Sequence, residues 1–159
     1  EAITKEHYHD LGKFIFRFIV FWAYIGFSQY MLIWYGNLPE ETVYFMHRSE
    51  HGWEALSMAL ILGHFVIPFL ILLPRGTKRT LPILGTVSVW MLVMHAADMY
   101  WLVMPVLHSH WAGFHWLDFT CLFGLAALFW GMYMYRLNRH STVPYNDPRF
   151  RKSLAFENQ

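Results

Sequence analysis

One cysteine, Cys121, is all that 159 residues contain. That excludes an internal disulfide, a cysteine-ligated iron–sulfur cluster and a CxxCH haem attachment, so any redox metal would rest on histidines or on partner subunits. Charge is scarce too: 14% of residues are Asp, Glu, Lys or Arg, and the formal net charge is +1. A phosphate-binding surface needs clustered lysines and arginines, which argues against nucleic acid as a partner. No low-complexity tract, flexible linker, soluble domain or internal repeat interrupts the sequence. It opens at Glu1 without the basic segment, short apolar run and small-residue cleavage site of a secretory leader, as a processed or partial chain would. What remains is 56% hydrophobic and 19% aromatic. A soluble domain of this size could not bury so much apolar surface, so the chain reads as an all-α integral membrane protein.

Four apolar runs are long enough to cross a hydrocarbon layer of about 30 Å, which takes about 20 helical residues. They predict helices at about 13–35, 53–73, 81–104 and 115–135. Short connections then predict a four-transmembrane-helix antiparallel bundle over 1–136, with 137–159 a polar cytoplasmic tail. Tyr35-Gly36-Asn37 ends the first helix and Pro39 turns the chain outward. Val43 to His51 is too polar for the bilayer and reads as an interfacial loop, with Tyr44, Phe45 and Trp53 at headgroup level. Pro68 should kink the second span just past His64, and Pro105 should end the third. The basic Arg75–Arg79 connection and the arginine-rich tail place both termini in the cytoplasm by the positive-inside rule.

The chemistry concentrates in WMLVMHAADMYWLVMP, Trp90 to Pro105, where His95 and Asp98 stand in a run of membrane-grade apolarity. Three residues apart, they share one helix face, which Ser88 extends, and that face should look into protein. In the first span Arg17, Tyr24, Ser28 and Tyr35 fall on one seam, which points their polar atoms the same way. The second span carries Glu54 at its start, then Ser57, with His64 seven residues further; Asp118 opens the fourth. Counted by rise per residue, Arg17 lies near the inner surface, Tyr24 and His64 near the middle, His95 further out, and Asp98, Glu54 and Asp118 outermost. A ladder of histidine, carboxylates and hydroxyls can relay protons.

The polar residues also fit other uses. They can be interhelical hydrogen bonds, worth roughly 0.6 kcal/mol each on average, that hold a bundle in register. His64 and His95 on consecutive helices suit bis-histidine ligation of a b-type haem, although their depths differ by about two turns and few small residues make room for a porphyrin. The outer His108, His110 and His115 with Asp118 can hold zinc, without the spacing of a closed site. Glu40, Glu41, Arg48 and Glu50 offer either a docking face for outer subunits or a solvated loop, and the tail arginines suit anionic lipid.

From Phe21 to Thr42 the sequence reads FWAYIGFSQYMLIWYGNLPEET; Gly63-His64-Phe65 with Pro68-Phe69, His95 to Pro105, Asn146 to Arg149 and Ser153 to Asn158 continue the pattern. On these motifs nearly the whole chain closely resembles the ActF family of membrane subunits of bacterial alternative complex III, related to the NrfD and polysulfide-reductase membrane anchors. The resemblance implies a subunit of a quinol-oxidising complex in the bacterial cytoplasmic membrane. In that family electrons pass from quinol through iron–sulfur clusters and c-type haem on partner subunits to a cytochrome c or small copper protein. It implies no redox cofactor in this chain and a part in proton translocation. Members of the ActF family are built as two four-helix bundles, of which this chain resembles the C-terminal one. His64, Asp98 and Phe21–Thr42 match the family pattern position by position, which favours a proton path through His64, His95, Asp98, Tyr24, Ser28, Glu54, Asp118 and Arg17. Two alternatives stand beside it: direct quinol binding, which the family places on a sister NrfD-like subunit, and a purely structural anchor for the outer redox subunits.

Overall fold

The computed structural model describes residues 5–107, 113, 115–141, 147–150, 152 and 155. Among these residues every regular element is a helix: α1 (Lys5–Gly36), α2 (Pro39–Met46), α3 (Trp53–Leu60), a π-helical turn (Ile61–Val66), α4 (Ile67–Leu72), α5 (Arg75–Lys78), α6 (Leu81–Leu107) and α7 (Trp116–Leu137). Four stretches, α1, Trp53–Leu72, α6 and α7, are long and apolar enough to cross a membrane. The chain forms two units, one within Ile3–Ala112 that holds the first three spans and one within Gly113–Gln159 that holds α7.

Nothing between Lys5 and Gly36 breaks helical geometry, so the polar lead-in is helical as well and α1 begins about two turns before the expected start. Glu6, in its first turn, meets Arg79 at 3.3 Å, and Lys13 meets Asp10 at 3.2 Å. At Gly12 the helix passes so close to α5 that an added Cβ would stand 3.0 Å from Cβ of Lys78. The helix stops where Asn37 takes the left-handed conformation, φ 45°, which asparagine tolerates, and its amide donates to the Ile33 carbonyl.

The expected interfacial loop is partly helix. Pro39 stands in the first turn of α2, where a missing N–H costs nothing, and Glu40 and Glu41 lie at the positive end of the helix. His51 (φ 56°) and Gly52 (φ 92°) then reverse the chain into Trp53. At the other end of the third span α6 runs through Pro105 to Leu107 rather than ending there.

Within the first unit α1 lies along the π turn and α4, α3 and the π turn lie on α6, and α5 bridges α1 to α6. Ile19, Leu72, Leu84 and Val87 are buried together, and Phe16, Phe65, Phe69 and Met91 close around them. In the second unit α7 is apolar on all sides and none of its residues is buried. The amide of His115 donates to Asp118 Oδ2 at 2.8 Å while His115 Nδ1 accepts from the Leu117 amide, a box that caps the helix.

Candidate functional site

The site grows from an irregularity in the second span. Pro68 carries no N–H, so the carbonyl four residues earlier, that of His64, receives no bond from it. Just before the proline the helix widens: the Ile67 amide donates to the Leu62 carbonyl, five residues back. π turns of this kind recur at functional sites, and this one carries His64. Gly63 lets α6 approach, because an added Cβ would meet Met94 Sδ at 2.7 Å. The Gly63 carbonyl accepts from Trp90 Nε1 at 2.8 Å, which ties the two helices at that level.

His64 is 4% exposed, and its Nδ1 is buried with no hydrogen-bond partner among the described residues. A buried imidazole nitrogen left without a partner costs stability, so it marks a place where something other than packing decides the residue. The ring stands edge-on to the Trp22 indole, with centroids 4.2 Å apart, and 6.4 Å from the ring of His95. Trp22 Nε1 donates to Asp98 Oδ2 at 2.9 Å, so α1 holds the carboxylate that α6 presents. Two imidazoles, an indole donor and a carboxylate are thereby gathered from three spans, and the imidazoles and the carboxylate can carry a proton in turn.

Three of the sequence-derived candidates, His64, His95 and Asp98, are brought together. Tyr24 is 67% exposed, and Arg17 is exposed beside the Phe14 ring. The packed face of α1 runs through His9, Gly12, Ile19 and Trp22; Arg17 and Tyr24 each stand two residues from that face, about 200° around the helix. Arg17, Tyr24 and Tyr35 of the seam therefore face away from the other spans of the unit. Ser28 is half-buried, and Glu54 accepts from the Gly52 amide at 3.0 Å at the exposed start of α3. Asp118 belongs to the cap of α7, in the other unit. His108 and His110 lie outside the described residues, and His115 is committed to the same cap.

Two residues carry more of the architecture than their sequence context suggests. Trp22 reads as one more apolar aromatic, although its spacing from Ile19 continues the packed stripe. Arg48, expected on a docking or solvated loop, is 2% exposed. Its Nη1 donates to the Tyr44 carbonyl and its Nη2 to the Leu102 carbonyl, both at 2.7 Å. The guanidinium lies 3.5 Å from the centroid of the Tyr44 ring and 4.9 Å from that of Trp101. Trp101 Nε1 donates to Ser57 Oγ at 2.7 Å, and Ser57 Oγ bonds the Trp53 and Arg48 carbonyls. Burial works against the Arg48 charge and lowers its pKa, with Tyr44 pulling the other way. The Tyr44 phenol is raised by burial first, against the opposing pull of Arg48 and with a smaller push from Asp98.

At the far end of the unit Lys78 is buried with its ammonium over the Phe16 ring at 4.4 Å. Burial lowers its pKa, and Lys13 and Arg75 lower it further. Between this charged end and the His64 cluster stands the apolar core of Ile19, Leu72, Leu84 and Val87. No protein-family model matches the sequence, and no curated protein matches it.

Proposed function

We propose that this chain is a non-redox integral membrane subunit of a quinol-oxidising electron-transfer complex and that it contributes a proton path. On this reading its four spans form an antiparallel bundle in the bacterial cytoplasmic membrane with both termini in the cytoplasm. Its partners are a sister NrfD-like quinol subunit, an iron–sulfur subunit and c-type cytochrome subunits, which hold the quinol, clusters and haems. The observation that carries the path is the meeting of Trp22, His64, His95 and Asp98 around a π turn, with His64 Nδ1 buried and unpartnered among the described residues. An ionisable group at membrane depth is costly and so by default serves transport or pairing. The motif from Phe21 to Thr42 supports the choice of complex, through its resemblance to the ActF family.

A structural anchor is the second reading, favoured by the 2.9 Å bond from Trp22 to Asp98, which by itself joins α1 to α6. One variant separates the two. Asp98→Asn keeps an oxygen for the indole to bond but cannot release a proton. On the path reading the complex assembles, electron transfer from quinol is largely intact, and proton movement in vesicles falls. Proton movement equal to wild type in a fully assembled complex would leave Asp98 as an anchor only.

A further inference from the structure

We propose that Lys78 and Arg75, where α5 packs on α1, bind the phosphate of an anionic phospholipid headgroup. Nothing in this depends on the proton path. The Lys78 stem lies against α1 at Gly12, where an added Cβ would stand 3.0 Å from Lys78 Cβ and 3.2 Å from its Cγ. Held there, Lys78 is 9% exposed and its ammonium lies over the Phe16 ring, 4.4 Å from the centroid. An ammonium carries three donors, yet no oxygen among the described residues accepts from this one. A ring face offsets part of the charge and leaves those donors unsatisfied.

The carboxylates of this end are committed elsewhere. Glu6 pairs with Arg79 at 3.3 Å and Asp10 with Lys13 at 3.2 Å, which leaves Lys78 and Arg75 as positive charges with no carboxylate among the described residues. Burial first, then Lys13 and Arg75, disfavour the Lys78 charge, and nothing acts in the opposite direction. In the second unit Asp118 is held in the cap of α7 and Asp147 accepts from the Arg149 amide at 2.8 Å. His9, one turn before Gly12 on the same face, is 5% exposed, and its Nδ1 is buried with no partner among the described residues. This end of the unit is thus short of acceptors twice over.

Position selects the source of the missing oxygens. The second span ends at Leu72 and the third begins at Leu81, so α5 stands level with the ends of both. In a bilayer that is the level of the headgroups, where anionic lipids concentrate phosphate oxygens and draw lysine and arginine. Lysine binds phosphate as a point charge, and Arg75 can add parallel N–H donors. Phe16, under the ammonium, stacks on Phe69 at 5.2 Å and begins the apolar layer that the acyl chains of such a lipid would follow.

The test uses the purified full chain in dodecyl maltoside micelles, alone or with dioleoyl phosphatidylglycerol, dioleoyl phosphatidylcholine or inorganic phosphate. Melting temperature is read in each, and native mass spectrometry reads the lipid retained. Phosphatidylglycerol should raise the melting temperature by about 4 °C, more than phosphatidylcholine or inorganic phosphate does, with a single molecule retained per chain. Lys78→Met should melt above wild type in bare micelles, where it removes a buried charge that has no acceptor, and below wild type with phosphatidylglycerol. That change of sign separates a lost site from a damaged fold, which would melt lower in both. Arg75→Gln should take away about half of the gain, and Arg139→Gln, whose guanidinium lies over Tyr135 in the other unit, should leave it whole. A gain that survives Lys78→Met, or that Arg139→Gln reduces as much, is general charge attraction and overturns the proposal. An equal gain from inorganic phosphate replaces the lipid with a free anion and overturns it as well. No gain from any additive would mean that another part of the protein already neutralises Lys78, which is equally fatal to it.

Discussion

Arg48→Lys asks whether a buried guanidinium fastens the segment between the first two spans to α6. The substitution keeps the positive charge and most of the stem, but an ammonium cannot present two parallel donors or stack a plane on a ring. Arg48 makes two charge-assisted bonds to backbone carbonyls at 2.7 Å and lies over two aromatic rings while 2% exposed. A hydrogen bond to a charged group contributes about 1.5–3 kcal/mol, and a cation over an aromatic face about 1–2 kcal/mol when desolvated. Lysine can keep one carbonyl and part of one ring, so the expected loss is about 3 kcal/mol. Arg48→Met should lose less than Arg48→Lys, because it also removes the cost of burying a charge. The assay is reversible unfolding of the purified chain in mixed micelles with increasing dodecyl sulfate, followed by far-ultraviolet circular dichroism. A lysine variant within about 0.5 kcal/mol of wild type, the range of a bland surface change, would refute the latch.

Trp22→Phe removes the indole donor to Asp98 and keeps the ring against His64; it should cost about 1–2 kcal/mol in the same titration, more than Asp98→Asn, which leaves the indole an acceptor. Gly63→Ala sets a methyl 2.7 Å from Met94 Sδ. Because a methionine sulfur can swing aside, the loss should be about 1 kcal/mol, at the low end of overpacking, and adding Met94→Ala should remove the clash. Lys78 has its folded pKa lowered, so between that value and the unfolded pKa near 10.4 the unfolded chain holds more protons and stability rises with pH. In Lys78→Met the difference in melting temperature from wild type should shrink as pH climbs toward about 10; a difference constant from about pH 7 upward would mean that Lys78 is not penalised by burial.

The spans are legible because a hydrocarbon layer demands long apolar runs, and His64, His95 and Asp98 stand out because such runs should not contain them. Boundaries are less so. The polar residues Lys5 to Asp10 read as a lead-in, but a helix already formed extends through polar residues wherever nothing breaks it, and the Arg79–Glu6 pair holds this end. Pro39 reads as a turn, yet proline followed by two glutamates is equally a helix start, and the residues beyond them decide which it becomes. Facing is hardest. Arg17, Tyr24 and Ser28 make a tidy polar seam, but polarity alone does not say whether a seam turns toward protein or away from it; the small residue Gly12 and the spacing of Ile19 and Trp22 mark the packed side. Burial of Arg48 has no local signature, since its rings and carbonyls come from residues 4 and more than 50 positions away.

The widened turn at Ile61–Val66 also sets the phase of the rest of its span. Trp53, Leu60, His64, Pro68 and Leu72 are all buried. In an unbroken α-helix the 19 steps from Trp53 to Leu72 would rotate Leu72 about 100° beyond the tryptophan, off the shared face. The looser turn absorbs about one residue's worth of rotation and brings Leu72 back into line with Leu60. A one-residue deletion there would therefore do more than shorten the span. It would let the helix close to an ordinary pitch that no longer needs the extra residue and keep the outer faces aligned, while the carrier of the orphaned imidazole would lose the geometry that holds it against Trp22. Length variation at this point would separate chains that share a core from chains that share a site.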